Sequence, residues 1–397
     1  MNTTLIPVAN RLQGVEEYYF SKKLQEIRDR NARGEDIINL GIGNPDLMPP
    51  DDAIRQLIHT SVEQGVHGYQ AYRGTPALRE AFANWYQDVY GAVLNPATDI
   101  LPLMGSKEGI VHLSLAFLDA GDEVLVPDPG YPTYASAAKL AGATIRNYPL
   151  HESGGWYPDL QTLEKSDLSK VKMMWVNYPH MPTGALPREE VFQALIAFGQ
   201  KHRILICHDN PYSLVLTPTP MSILAFPGAM EVAVELNSLS KSHNMAGWRI
   251  GMLAGSAAHI DATLRVKSNM DSGMFLGLQA AATRALATHA SWHHERNQVY
   301  QERRLEAEKL LNDLGCSWDT AQGGMFLWAR IPESAESGEA FSEAILNASG
   351  VFLTPGFIFG PAGHGYIRAS LCTPVERLQD ARERVRTRFL TTEAHSL

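Results

Sequence analysis

Between about residue 100 and residue 255, short apolar runs alternate with stretches whose apolar positions recur at helical spacing. The runs include Val124–Val126, Met173–Val176, Ile204–Cys207 and Val232–Leu236. Between them lie segments such as Glu189–His202, and Glu108–Leu118 also reads as helical. This alternation predicts βαβ units, hence a mainly parallel sheet covered by helices. After about residue 290 the pattern changes. A long charged helix is predicted over Trp292–Leu314, then a strand-like run at Gly323–Arg330, another helix, and a short strand at Tyr366–Leu371. That pattern suits a smaller α+β unit. The first 45 residues are too few to fold alone and are expected to pack against it. A chain of 397 residues suits two domains, because single cores stop growing near ~250–300 residues. The expected division is a large domain over 46–289 and a small one from 1–45 and 290–397.

Composition narrows the function classes. The formal net charge is -9, with no basic block, which disfavours nucleic acid and anionic membranes as partners. No apolar run reaches the ~18 residues of a membrane span. The opening stretch MNTTLIPVANRLQGVEEYYF lacks a basic region followed by an apolar one, so a cytoplasmic protein is expected. Cys207, Cys316 and Cys372 are odd in number and far apart. They are expected to be small buried residues, not a disulfide framework or a zinc site, and no metal is expected.

In open α/β sheets, ligands sit beyond the carboxyl ends of the strands. Polar residues fall there repeatedly. Asn177 follows one apolar run, Asp209 another, and Ser238, Ser240 and Lys241 a third, while Gly105-Ser106-Lys107 precedes a helix. Each alone reads as a turn or a cap; together they mark one edge of one sheet. A lysine in such a loop loses its proton more easily when desolvated, and a neutral amine forms a Schiff base with an aldehyde. Arg249, with Gly247 and Gly251 beside it, suits an anion, and Ser238 adds a hydroxyl. Gly105-Ser106-Lys107 offers a helix N-terminus as a phosphate seat. An aldehyde carrying a phosphate describes pyridoxal 5′-phosphate (PLP). Asp209 then suits a pyridine nitrogen, Tyr212 a ring oxygen, and Tyr131, in Pro129-Gly130-Tyr131-Pro132, a stacking position. Arg368, central in an apolar strand, needs an anionic partner and suits a carboxylate.

The stretches Asn39–Asp46, Tyr69–Gly74 with Leu78-Arg79, Gly105–Gly109, Pro127–Pro132, Asp209–Tyr212, Ser238–Gly251 and Tyr366–Arg368, in that order, resemble the class I/II aminotransferases of PLP fold type I. Within them the chain is similar to the LL-diaminopimelate aminotransferase group. The resemblance implies an α/β fold with a seven-stranded-type α/β/α large domain, a homodimer, and transfer of an amino group between an L-amino acid and a 2-oxo acid. It also implies that Lys241 holds the cofactor and moves the proton, and that Ser106, Lys107, Ser238 and Arg249 hold its phosphate. Tyr69 would reach that phosphate from the partner subunit. Arg368 would bind the substrate carboxylate with help from the backbone at Gly43.

One position departs from the family pattern. Met181 stands before Pro182-Thr183-Gly184, where these enzymes carry an asparagine that donates to the ring oxygen. A thioether donates nothing, so the cofactor's imine is expected to hold its proton more tightly unless Asn177 or His180 substitutes. Three rival functions remain at this stage. A PLP-dependent carbon–sulfur β-lyase would share every cofactor residue. A non-catalytic PLP-binding regulator would need a DNA-binding module, for which no basic stretch exists. An acyl-serine hydrolase built on Ser238-Leu239-Ser240-Lys241 would need companion motifs that are missing.

Overall fold

The computed structural model describes residues 6, 8–12 and 19–391. Most of the opening stretch read above therefore lies outside the described residues.

A seven-stranded sheet occupies the middle of the chain. Its strands are β2 (Ile100–Leu103), β3 (Glu123–Asp128), β4 (Thr144–Pro149), β5 (Val171–Val176), β6 (Leu205–Asp209), β7 (Ala233–Ser238) and β8 (Gly251–Gly255), in the order β2-β8-β7-β6-β5-β3-β4. The pairs β4–β3–β5–β6–β7 are parallel, whereas β8 runs antiparallel to β7 and β2. Each of the four apolar runs overlaps one of these strands, with Ile204 and Val232 lying one residue ahead of β6 and β7. Alternate residues serve opposite faces: Met173, Trp175, Leu205 and Cys207 join one core cluster, while Met174, Val176 and Ile206 join the other. Both faces being covered explains why the strands read as continuous apolar runs.

The helices observed are α1 (Tyr19–Ala32), α2 (Asp51–Ser61), α3 (Pro76–Tyr90), α4 (Ser106–Phe117), α5 (Pro132–Ala141) and others further along, including the predicted Glu189–His202. Helix α3 shows why its ends fall where they do. The Thr75 hydroxyl accepts from the Leu78 amide, Pro76 opens the first turn, and Gly91 closes it at φ 69°, a left-handed conformation that glycine adopts without steric cost. Helix α4 begins earlier than predicted, and its cap is Gly105 at φ 87°. Ser106 is the first helical residue and not the serine cap that the sequence also allowed.

The charged helix spans Ala290–Asp313. Beyond it, β9 (Phe326–Arg330), β11 (Thr354–Pro355) and β12 (Tyr366–Ser370) form an antiparallel sheet in the order β11-β12-β9. The early chain joins this region. Strand β1 (Ile38–Asn39) pairs in parallel with β10 (Val351–Phe352), the Ser370 amide donates to the Leu40 carbonyl at 2.7 Å, and Lys23 of α1 meets Glu343 at 2.6 Å. Cys207 and Cys316 are buried, as expected, while Cys372 is only half-buried.

Candidate active site

A cavity of about 510 Å³ opens at the carboxyl edge of the large sheet, where the small sheet meets it. Strand direction explains its contents. Asp209 ends β6 and Ser238 ends β7. Because β8 is antiparallel, the residues that enter it lie at this same edge, which brings Arg249 there; Gly251 is in register with both Ser238 and Leu103. The cavity is lined by Lys241, Asp209, Tyr212, Tyr131, Ser106, Lys107, Ser238, Arg249, Arg368 and Gly43. Every sequence-predicted site residue but one is thus in one place.

One corner is cationic and hydroxyl-rich. The first turn of α4 presents Ser106 and Lys107. Arg249, itself at φ 56°, donates to Ser240 Oγ at 3.4 Å and to the Ala246 carbonyl at 2.9 Å. The guanidinium lies so close to α4 that a Cβ on Gly105 would stand 2.1 Å from Arg249 Nη2. Ser238 Oγ donates to Ser240 Oγ at 2.9 Å. This corner combines the N-terminal turn of a helix, two cations and hydroxyls, a donor set that suits a phosphate. Lys107 and Arg249 are exposed in the single chain.

On the opposite wall Asp209 is 5% exposed. Its Oδ2 accepts from the Tyr134 hydroxyl at 2.8 Å, while Oδ1 is buried and has no partner among the described residues. Burial raises its pKa to about 6, and the Tyr134 hydrogen bond opposes that rise. Such an oxygen needs a donor, and here the cavity supplies the space for one. Asn177 holds the strand end by donating to the Asp209 carbonyl at 2.5 Å, and it accepts from the Met181 amide at 2.6 Å.

Lys241 sits between these walls and donates to the Gly43 carbonyl. Burial lowers its pKa to about 8, and Arg368 and Arg249 push it in the same direction while Cys372 opposes them. Gly43 therefore meets the lysine, and a side chain there would strike the Phe326 ring, 2.1 Å from a built Cβ. Arg368 lies 3.8 Å from the centre of the Phe326 ring and 4.6 Å from that of Phe359. It donates to Met181 Sδ at 3.2 Å and to the Gly41 carbonyl at 2.8 Å. Met181 thus faces the arginine as an acceptor. Asn177 is committed as described, and His180 bonds Thr183 at 2.8 Å without lining the cavity. Burial lowers the His180 pKa to about 3, so its ring is neutral.

Tyr69 is the exception: it is 93% exposed and does not line the cavity. The sequence reading also missed two supporting groups. Tyr134 is buried, stacked on Trp175 at 4.8 Å, and its sequence signal was only an aromatic three residues after Tyr131. Glu235, fully buried in β7 beside Asp209, accepts from Tyr86 at 2.7 Å, His208 and Ser222 at 2.8 Å, and Asn210 and the Ile223 amide at 3.1 Å. A charge inside an apolar strand was its only signal.

The family model for "Aminotransferase class I and II" matches residues 35–385. The chain belongs to the class I and II aminotransferases. It is 41% identical over 374 residues to the LL-diaminopimelate aminotransferase of Dehalococcoides mccartyi, covering 94% of this chain and 96% of that one. It is 40% identical over 380 residues to the enzyme of the same name from Desulforudis audaxviator, covering 95% and 97%. Among solved structures, apo-BacF from Bacillus subtilis superposes with a TM-score of 0.92 at 34% identity, covering 96% of this chain and 98% of that one. The chain is an aminotransferase of fold type I, as its strand-end motifs implied.

Proposed function

We propose that this aminotransferase works with PLP bound in the 510 Å³ cavity, moving an amino group between an L-amino acid and a 2-oxo acid. The observation that carries the reading is the pairing, in one cavity, of a lysine with a lowered pKa and a buried carboxylate oxygen that has no partner among the described residues. The residues fit the group. Ser106, Lys107, Ser238 and Arg249 would hold its phosphate, Asp209 Oδ1 its ring nitrogen, and Tyr212 its ring oxygen, with Tyr131 along the ring.

When bound, PLP supplies an electron sink for the pair left at the substrate Cα. The protein's residues do the rest. Neutral Lys241 Nζ would take the Cα proton and, as the ammonium, return it to the carbon two atoms along, on the far side of the nitrogen. Asp209, as an anion, keeps the nearby nitrogen protonated. Arg368 holds the substrate carboxylate by its planar fork, and the rings of Phe326 and Phe359 fix that fork and exclude water. Burial raises the Tyr212 pKa, so its hydroxyl remains a donor at neutral pH.

The names of the relatives make LL-diaminopimelate the first amino donor to test; methionine, aspartate and alanine are further amino donors for the same panel. Residues 46–289 are proposed as the large domain, and 1–45 with 290–397 as the small one. A homodimer is supported by Tyr69 and by the exposure of Lys107 and Arg249, and a cytoplasmic location by three cysteines without disulfides. Among the described residues no helix is long and apolar enough to cross a membrane. The test is borohydride reduction of the PLP-loaded protein, then peptide mapping. A label on Lys241, and donor-dependent conversion of the bound aldehyde to its amine form, are expected. A colourless protein indifferent to PLP overturns the reading.

A further inference from the structure

Tyr134 has no part in the function proposed above, yet it is the side chain that touches the carboxylate opposite Lys241. It is 1% exposed, and its hydroxyl donates to Asp209 Oδ2 at 2.8 Å. Three features hold it still. Its ring stacks on Trp175 with planes 3° apart and centres 4.8 Å apart. Tyr131 meets it edge-on at 5.5 Å. The backbone of α5, capped at Tyr131 with Pro132 at its first position, carries both tyrosines. The hydroxyl therefore has little freedom to choose another acceptor. Asp209 is fixed from the other side by Asn177, which binds its carbonyl.

We propose that Tyr134 is a positioning residue for the cofactor ring: by binding Oδ2 of Asp209 it turns Oδ1 toward the ring nitrogen and holds the carboxylate as an anion. This rests on the PLP reading above. A carboxylate with one oxygen tied keeps a single rotamer, so the second oxygen is aimed before any ligand arrives, which lowers the ordering cost of binding. The bond also favours the charged form. The other ionisable groups around Asp209 are Tyr131 on α5, Tyr212 in the loop after β6, His208 on its own strand and Glu235 on β7. None of these is seen donating to the carboxylate among the described residues, whereas Tyr134 does.

The test is the dissociation constant of PLP from the apoprotein, measured from pH 5.5 to 9 for wild type, Tyr134→Phe and Trp175→Phe. Tyr134→Phe keeps the ring and removes the donor. Hydrogen bonds to charged groups contribute enough for about a tenfold or greater loss of affinity at neutral pH. The acid limb of the binding curve is expected to move to higher pH, because Asp209 then protonates more readily. Trp175→Phe disturbs the stack but keeps the hydroxyl, so its acid limb should stay where wild type has it. Fluorotyrosine at 134, a stronger donor of nearly the same volume, should move the limb to lower pH and does not depend on Tyr134→Phe folding. Superimposable curves for wild type and Tyr134→Phe, or an unmoved limb with fluorotyrosine, would overturn the proposal. So would equal weakening in both phenylalanine variants without a shift, which would mean packing alone. A wild type that binds no PLP would instead overturn the cofactor reading beneath it.

Discussion

At the residue scale, the proposed chemistry depends on Lys241 being neutral when it meets an aldehyde. With its pKa lowered to about 8, about a tenth of the amine is neutral at pH 7, against roughly one part in a few thousand for an ordinary lysine. The shift has a clear sign: burial disfavours the ammonium, so the reactive fraction grows as pH rises. Capture of PLP by the apoprotein, followed by absorbance in stopped flow, is therefore expected to accelerate roughly tenfold per unit up to about pH 8 and then level off. Lys241→Ala should still bind PLP but leave nothing for borohydride to fix to the chain. Met181 poses the second residue-scale question. Its sulfur accepts from Arg368 and offers the ring oxygen no donor. Met181→Asn adds one, neutralising part of the ring's negative charge. The midpoint of the visible pH titration of the bound cofactor should then fall, by on the order of one unit for one charge-assisted hydrogen bond. Identical titrations would show that the thioether costs the ring nothing.

At the scale of elements, the site depends on where strands and helices end, and two substitutions test this. Gly105 caps α4 at φ 87°, with Arg249 filling the space a side chain would take. Gly105→Ala should force the guanidinium aside and weaken PLP binding about tenfold or more, measured by equilibrium titration, with Lys241 still labelled by borohydride. Glu235 ties the ends of β6 and β7 to α3 through His208, Asn210 and Tyr86. Removing it leaves several buried donors without an acceptor. Glu235→Ala should cost about 3–5 kcal/mol in urea unfolding, because the loss of one member of a buried charged network is not compensated. Strand ends were also the legible part of the sequence. Lys241, Asp209 and Ser238 could be read because each follows an apolar run, and apolar runs are strands; Arg249 was read from Gly247 and Gly251 beside it. Tyr134 and Glu235 were not legible, since each looks like an ordinary core or strand residue until its partner, distant in sequence, is placed beside it. The antiparallel course of β8, which brings Arg249 to the same edge as Ser238, likewise depends on pairing that no local pattern reports.

At the scale of the whole molecule, the corner proposed for the phosphate is exposed in the single chain: Lys107 and Arg249 are exposed, and Tyr69 stands out with 93% of its surface accessible. An aromatic so exposed, in a chain with further exposed apolar residues such as Val62 and Met270, suits a surface that another subunit covers. If Tyr69 of one subunit completes the phosphate corner of the other, each site takes Lys241 from one chain and Tyr69 from its partner. The consequence is complementation. Lys241→Ala homodimers are expected to be inactive, and Tyr69→Ala homodimers to bind PLP weakly. In a mixed dimer of the two variants, one site receives both mutations, and the other pairs an intact Lys241 with an intact Tyr69. Mixing the variants under conditions that exchange subunits should therefore restore one wild-type-like site per heterodimer. At equal mixing half the dimers are hybrids, so activity should approach a quarter of the wild-type value per site, with wild-type affinity for PLP in that fraction. If Tyr69 acts within its own chain, every site in the mixture lacks one residue or the other, and no activity beyond that of the Tyr69→Ala protein can appear.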